Sequence, residues 1–245
     1  MNRIDFTGKS IIVTGASTGI GRAITYQMAA AGAWVLAVGH DSDHLNETLQ
    51  NADTAFKDRL GGVLADLSNE DGINRVFEEA DSKFGKIDIL VNNAALGAGA
   101  VMDGDYSELN KVIQTNLTAY LACAQAAVSR MQDAQSGHII NIGSMSAHTK
   151  EKNSSIYVAT KSAIRGFSES LRKEVNELGI KVTLIEPGAV DTEMQEASQE
   201  EKNQQKERLE MLEADDIAAA VIYAVEQPLR CDVVAIQLRP HLQVI

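Results

Sequence analysis

Short apolar, β-branched runs alternate with longer stretches of helical periodicity along most of the chain. Ser10–Thr14 (SIIVT), Ala33–Val38, Gly62–Ala65, Ile87–Val91, His138–Ile142, Lys181–Ile185 and Val233–Leu238 predict strands. Most are apolar throughout rather than alternating, the pattern of strands covered on both faces. Between them, Gly19–Ala31, Ser42–Arg59, Asn69–Phe84, Tyr106–Met131, Ser155–Leu178 and Ala214–Glu226 read as helices. This rhythm predicts an α/β fold: a doubly wound, mainly parallel sheet of about seven strands, with helices on both faces and right-handed crossovers. No internal repeat, low-complexity tract or Pro/Ser-rich linker interrupts it, so one continuous domain over residues 1–245 is favoured over two.

One stretch breaks the rhythm. Asp191–Glu213 is rich in Glu and Gln and has no strand pattern. A solvated helical insertion would account for it. Its position after the sixth strand favours a lid over a pocket, because ligands bind at the carboxyl ends of such strands.

Composition narrows the function classes. The chain has 22 Lys plus Arg against 34 Asp plus Glu, a formal charge of −12. An acidic surface repels phosphate backbones, so nucleic acid and anionic membranes are not expected partners. No apolar run approaches the roughly 20 residues of a membrane span, and Met1–Thr7 has no apolar signal core. Two cysteines, Cys123 and Cys231, make no disulfide framework. A reducing cytoplasm is the expected location.

The first strand ends in Thr14-Gly15-Ala16-Ser17-Thr18-Gly19-Ile20-Gly21, and a helix pattern follows at once. Gly15 permits the tight turn, Gly19 lets a ligand approach the backbone, and Gly21 permits close helix–strand packing. The helix N-terminus then offers free N–H groups to a pyrophosphate. Gly8-Lys9-Ser10 is not a triphosphatase loop, because it precedes the strand and Arg3 stands where the upstream glycine is needed. The second strand ends Val38-Gly39-His40-Asp41. A carboxylate at that tip would hold the ribose hydroxyls of NAD. Gly39 removes it, and His40 with the Thr18 hydroxyl could bind a 2′-phosphate. Asp41 and Asp43 pull the other way. NADP(H) is favoured and NAD(H) remains possible. His40 and His44 beside these carboxylates fit a solvated helix start better than a metal site, and no metal is expected.

Strand five runs into Ile142-Gly143-Ser144, followed by Tyr157 and then Lys161 four residues later. An i,i+4 pair shares one helix face. An ammonium beside a tyrosine hydroxyl favours phenolate and draws a group of pKa near 10 towards the range of a general acid–base.

With these motifs in this order, the chain resembles the classical short-chain dehydrogenase/reductase family, single-domain Rossmann folds. The likeness covers nearly the whole chain. It includes the glycine loop, Asp66-Leu67, Asn92-Asn93-Ala94, Asn116, Ser144, Tyr157, Lys161 and Pro187-Gly188 with Thr192. The resemblance implies that Tyr157 donates or accepts the substrate proton. Lys161 would lower its pKa and bind the nicotinamide ribose. Ser144 would hold the substrate oxygen, and Asn116 would hold a water linking Lys161 to solvent. Asp66 and Leu67 would contact the adenine, and Asn92 and Ala94 would line the adenosine side. Ser17, Thr18 and Ile20 belong to the phosphate loop, while Pro187, Gly188, Val190 and Thr192 would meet the nicotinamide or pyrophosphate. Ala95 replaces the family's usual glycine. The C-terminal Arg239-Pro240 and the Ala214–Val225 helix resemble the 3-hydroxy-acid (serine-type) dehydrogenase branch.

Ala95, Leu96, Ser146, His148, Ile156, Ala189 and Met194 are the candidate substrate contacts. They offer no carboxylate clamp, so a small neutral ketone, aldehyde or alcohol is preferred. His148 could orient a polar substrate group or lie exposed. Small residues on the helices Tyr106–Met131 and Ser155–Leu178 fit close packing on the sheet. In the resembling family these helices form a dimer interface, which implies a homotetramer, with a dimer second. Trp34 and Cys123 are read as structural. A catalytically silent nucleotide sensor is the alternative function. Tyr157 and Lys161 are left unexplained by a methyltransferase, and the chain is too short for a sugar-nucleotide epimerase.

Overall fold

The computed structural model describes residues 5–195 and 197–243. Seven parallel strands form one sheet in the order β3-β2-β1-β4-β5-β6-β7. They are β1 (Ser10–Thr14), β2 (Trp34–Gly39), β3 (Leu60–Leu64), β4 (Ile89–Asn92), β5 (Gly137–Ile142), β6 (Ile180–Pro187) and β7 (Ala235–Leu238). The helices are α1 (Gly19–Ala30), α2 (Ser42–Gln50), α3 (Glu70–Phe84), α4 (Tyr106–Ile113), α5 (Ala119–Met131), α6 (Ser146–Thr149), α7 (Ser155–Val175), α8 (Gln199–Glu207) and α9 (Ala214–Glu226).

Side chains of a strand alternate between faces, and each face here has its own core. Ile11 and Val13 pack with Ile24 and Met28 of α1, Leu45 of α2 and Val221 of α9. Ile12, one residue away, packs on the other side with Phe77 of α3, Ala124 of α5 and Leu171 of α7. Both faces are buried, which is why the strands read as unbroken apolar runs. The connections leave β1 in one direction and return through α3 to β4 on its other side. The carboxyl ends of β1 and β4 therefore flank the switch point, where such sheets bind ligands.

Several boundaries differ from the sequence pattern. The helix expected over Ser42–Arg59 ends at Gln50, and a short 3-10 turn at Lys57–Arg59 leads into β3. Tyr106–Met131 is not one regular helix. A π turn at Gln114–Thr118, with the Ala119 N–H donating to the Gln114 carbonyl, separates α4 from α5. Such a bulge inserts one residue and rotates the helix beyond it, and it is frequent at functional sites. Trp34 starts β2 yet is 48% exposed, because it stands at the strand's entry edge. Cys123 is buried, and burial pushes its thiol up to about 12. No helix among the described residues is long and apolar enough to cross a membrane.

One buried titratable group ties the sheet to solution pH. His138 in β5 is buried with its Nε2 2.8 Å from Thr183 Oγ1 of β6. Burial, assisted by Lys181, lowers its pKa from 6.5 to about 3. The unfolded chain then binds a proton that the folded chain refuses, so stability falls as pH drops below 6.5. The slope is at most about 1.4 kcal/mol per pH unit. Thermal melts from pH 7 to pH 4 should show the loss, and His138→Gln should flatten it. An unchanged slope in the variant would assign the acid sensitivity elsewhere.

Candidate active site

The loop between β1 and α1 is fastened from two sides. Thr14 Oγ1 accepts from the Asn93 and Ala94 N–H groups at 2.9 and 3.1 Å. The Asn93 amide donates back to the Thr14 and Gly15 carbonyls, both at 3.0 Å. From the other side, Arg22 donates twice to the Ser17 carbonyl, at 2.6 and 3.0 Å. Gly15 has φ +62, and a Cβ there would stand 2.7 Å from the Ala94 Cα. Gly21 packs its backbone onto the loop so closely that a Cβ would stand 2.0 Å from the Gly15 carbonyl oxygen. Thr18, just before α1, places no side-chain cap on the helix. The first N–H groups of α1 are thus left to a ligand, and the helix dipole favours an anion there.

A continuous cleft runs from this loop across the carboxyl ends of the strands. Its smaller stretch, the adenosine side that the sequence leads one to expect, is lined by Gly39, His40, Asp66, Leu67, Ala94 and Lys111. The larger stretch is lined by Ser17, Thr18, Gly19 and Ile20 on one side and by Ser144, Tyr157 and Lys161 on another. Pro187, Gly188, Val190 and Thr192 form a third wall, and Ala95, Leu96 and Met194 border the same stretch. Gly15, His40 and Leu96 border both stretches. The bare glycine turn, the uncapped helix and the length of the cleft suit a dinucleotide.

Ser144 stands two residues beyond the end of β5, while Tyr157 and Lys161 share one face of α7. Lys161 is buried, and its Nζ donates to the Ile142 carbonyl at 2.9 Å. Burial draws its pKa from 10.5 to about 8. Its Nζ lies 5.6 Å from the centroid of the Tyr157 ring. The Tyr157 hydroxyl is raised above its ordinary 10.0, mainly by burial. A hydrogen bond with Ser144 pulls it down, and the Glu151 carboxylate pushes it up. The expected lowering by Lys161 is therefore not the dominant effect in this arrangement. The ammonium is directed at a backbone carbonyl, and desolvation of the phenol outweighs it.

Seven expected site residues, Gly21, Asn92, Asn116, Ser146, His148, Ile156 and Ala189, lie behind the cleft or beside it. Gly21 forms the support of the loop rather than its surface. Asn92 is buried, donating to the Tyr120 carbonyl and to Asn141 Oδ1 at 3.2 and 3.0 Å. Its side chain braces β4 against β5 and leaves the adenosine side to Ala94. Asn116, in the π turn, exchanges two hydrogen bonds with the Leu96 backbone at 2.7 and 2.8 Å. These two bonds fix its amide against the cleft wall. His148 turns away from the cleft towards the buried Glu186 carboxylate, with Nε2 3.0 Å from Oε1. Arg165 and Gln237 complete that cluster, and Ser146 donates its N–H to Ser144 Oγ. Neither Ser146 nor His148 borders the cleft.

The tip of β2 and the charged excursion acquire definite shapes. Asp41 caps α2, accepting from the Asp43 and His44 N–H groups, while His40 stays exposed at the cleft. The excursion contains α8, started by a Ser198–Glu201 capping box. Lys202 reaches back from α8 to donate to the Thr192 carbonyl at 2.6 Å. Asp191 joins Lys206 at 2.8 Å and Lys202 at 3.6 Å, and these ion pairs hold its carboxyl below its usual value despite burial.

Asn93, Glu193 and Gln195 also border the cleft and were not expected from the sequence. Strand parity carries the signal for Asn93. Neighbours at the end of a strand point oppositely, so Asn92 in the core places Asn93 at the cleft.

Comparison with known proteins agrees with this geometry. A family model described as short chain dehydrogenase matches residues 9–203. An uncharacterized oxidoreductase of Staphylococcus epidermidis is 36% identical over 233 residues, covering 95% of this chain and 97% of the relative. One from Staphylococcus aureus is 37% identical over 236 residues, covering 96% and 98%. One from Staphylococcus saprophyticus is 33% identical over 238 residues, covering 97% and 99%. The chain belongs to the short chain dehydrogenase family and is an oxidoreductase with a nicotinamide cofactor.

Proposed function

We propose that the protein transfers a hydride between NADP(H) and a small neutral carbonyl or alcohol, with Tyr157 as acid–base. The observation that carries this reading is the convergence of Ser144, Tyr157 and Lys161 on the cleft that begins at the glycine loop. The cofactor supplies or takes the hydride when bound. The N-terminus of α1 and Thr18 hold its phosphates, and Asp66 and Leu67 border its adenine. Ser144 donates a hydrogen bond to the substrate oxygen and fixes it beside the Tyr157 hydroxyl. A phenol held above pKa 10 is protonated at neutral pH, so Tyr157 is ready to give its proton to a forming alkoxide. Lys161, as ammonium, favours the phenolate that results. Oxidation of an alcohol starts from that phenolate and therefore gains with rising pH.

The segment from 191 to 213 acts as a lid. Thr192, Glu193 and Met194 border the cleft, and Lys202 ties them to α8. Among the described residues, no arginine borders the cleft in either stretch, and its lysines are the buried Lys161 and the adenosine-side Lys111. A neutral substrate needs no further cation.

The preference for NADP(H) rests on the tip of β2. Gly39 brings no carboxylate, Asp41 is committed to its helix cap, and exposed His40 borders the cleft. His40→Ala should lower kcat/KM for NADPH about tenfold, the value of roughly one charge-assisted hydrogen bond. The value for NADH should stay within about twofold, since NADH has no 2′-phosphate to lose a contact. Steady-state kinetics with both cofactors make the comparison. Equal losses with the two would assign His40 a role that does not involve the 2′-phosphate.

A further inference from the structure

Lys161 has a second aromatic neighbour, and it comes from another helix. Tyr120, in the first turn of α5 just after the π turn, is fully buried. Its ring centroid lies 5.4 Å from Lys161 Nζ, against 5.6 Å for Tyr157. The ammonium is thus flanked by two tyrosine rings. The two side chains also share an acceptor. The Tyr120 hydroxyl donates to the Ile142 carbonyl at 3.1 Å, and Lys161 Nζ donates to the same oxygen at 2.9 Å. That oxygen has two lone pairs, so both bonds form, yet each weakens the other's claim on it.

We propose that Tyr120 is a positioning residue for the reaction, whose ring holds the Lys161 ammonium in place beneath Tyr157 and keeps it charged. The π turn supplies the means. A bulge rotates the chain after it, and the Asn92 amide fixes the result by donating to the Tyr120 carbonyl. The site needs such a device. Burial alone opposes the charge on Lys161. A desolvated cation over an aromatic face recovers part of what burial takes away. The titratable groups facing Lys161 are Tyr157 on its own helix and Tyr120 on α5. β5 and the segment after it present the Ile142 carbonyl and the Ser144 hydroxyl. The π turn presents the Asn116 amide, which is uncharged and bonded to the Leu96 backbone. Cys123, on α5, influences Tyr120 and is a neutral thiol at working pH.

The role rests on reading Lys161 as the partner of Tyr157, but its test does not need turnover. Lys161 is titrated by NMR of its labelled side chain in the full-length protein, for native, Tyr120→Phe and Tyr120→Met chains. Tyr120→Met removes the ring while filling the space. It should move the Lys161 titration down by about one pH unit. Tyr120→Phe keeps the ring and frees the Ile142 carbonyl for Lys161, so its titration should stay at the native value or rise. The alkaline limb of kcat/KM for carbonyl reduction should move in step with each titration, with cofactor KM little changed. A Lys161 titration unmoved in a folded Tyr120→Met chain would overturn the proposal. A fall in Tyr120→Phe would overturn it too, whether or not the Met variant folds. Titrations that shift as expected in a protein that reduces no carbonyl would support Tyr120 and defeat the proposed reaction instead.

Discussion

Replacing Tyr157 by Phe is expected to lower kcat for carbonyl reduction by about 10²- to 10⁴-fold, the contribution of a positioned general acid. The substitution removes one oxygen and leaves the ring. The ring's position over Lys161 Nζ, 5.6 Å from its centroid, does not depend on that oxygen. The glycine loop, Thr192 and the adenosine-side stretch are untouched, so cofactor affinity measured by fluorescence titration should stay within about threefold. Ser144 still offers a hydrogen bond to the substrate oxygen, which keeps binding close to native and confines the loss to the chemical step. A kcat reduced less than about tenfold would mean that the proton comes from another group. Loss of cofactor binding together with activity would mean that Tyr157 is a binding residue first.

Gly21→Ala should damage both folding and the cofactor site. The added Cβ would stand 2.0 Å from the Gly15 carbonyl oxygen and 2.6 Å from Asn93 Nδ2. The first is backbone and cannot swing away. The second anchors the loop through two hydrogen bonds that the methyl would disturb. Relief requires α1 to move off β1, an overpacking cost of about 3 kcal/mol. For a chain of this length that lowers Tm by about 6 to 12 °C. Cofactor Kd should rise about tenfold or more, because the same shift withdraws the N–H groups of α1. Gly166→Ala is the control. Gly166 lies on α7 with nothing near its absent Cβ, so alanine there should leave Tm unchanged or raise it slightly. Equal melting of the Gly21 variant and the native chain would show that the loop and helix are more pliable than their packing indicates.

The sheet was legible because its strands are buried on both faces, and burial writes itself into short unbroken apolar runs. Ile11, Ile12 and Val13 carry that signal by themselves. The glycine loop and the Tyr157–Lys161 spacing were legible for a different reason: each is a local arrangement within one turn or one helix. What stayed hidden depends on contacts between distant segments. Nothing near position 148 marks His148 as a partner of Glu186, which lies on β6. Asn92 and Asn93 are adjacent, and only the register of β4 in the sheet decides which faces the cleft. The π turn at Gln114–Thr118 hides inside a good helical pattern, since one extra residue barely disturbs the periodicity. Tyr120 looks like any apolar helix position until that turn brings it beside Lys161. The raised pKa of Tyr157 is hidden for the same reason: i,i+4 spacing reports proximity, whereas desolvation depends on the whole surrounding fold.

The proposed reaction is hydride transfer in this cleft between a nicotinamide and a neutral carbonyl. It is tested most directly by incubating the native chain with NADPH deuterated at the transferred position and a panel of small ketones and aldehydes. Mass spectrometry of the product alcohols gives the answer. One deuterium is expected in the alcohol of at least one neutral substrate, with transfer slowed by Tyr157→Phe and a lower rate with deuterated NADH. Cofactor bound tightly at the glycine loop, with no label reaching any carbonyl, would contradict it and favour a nucleotide-binding role without catalysis.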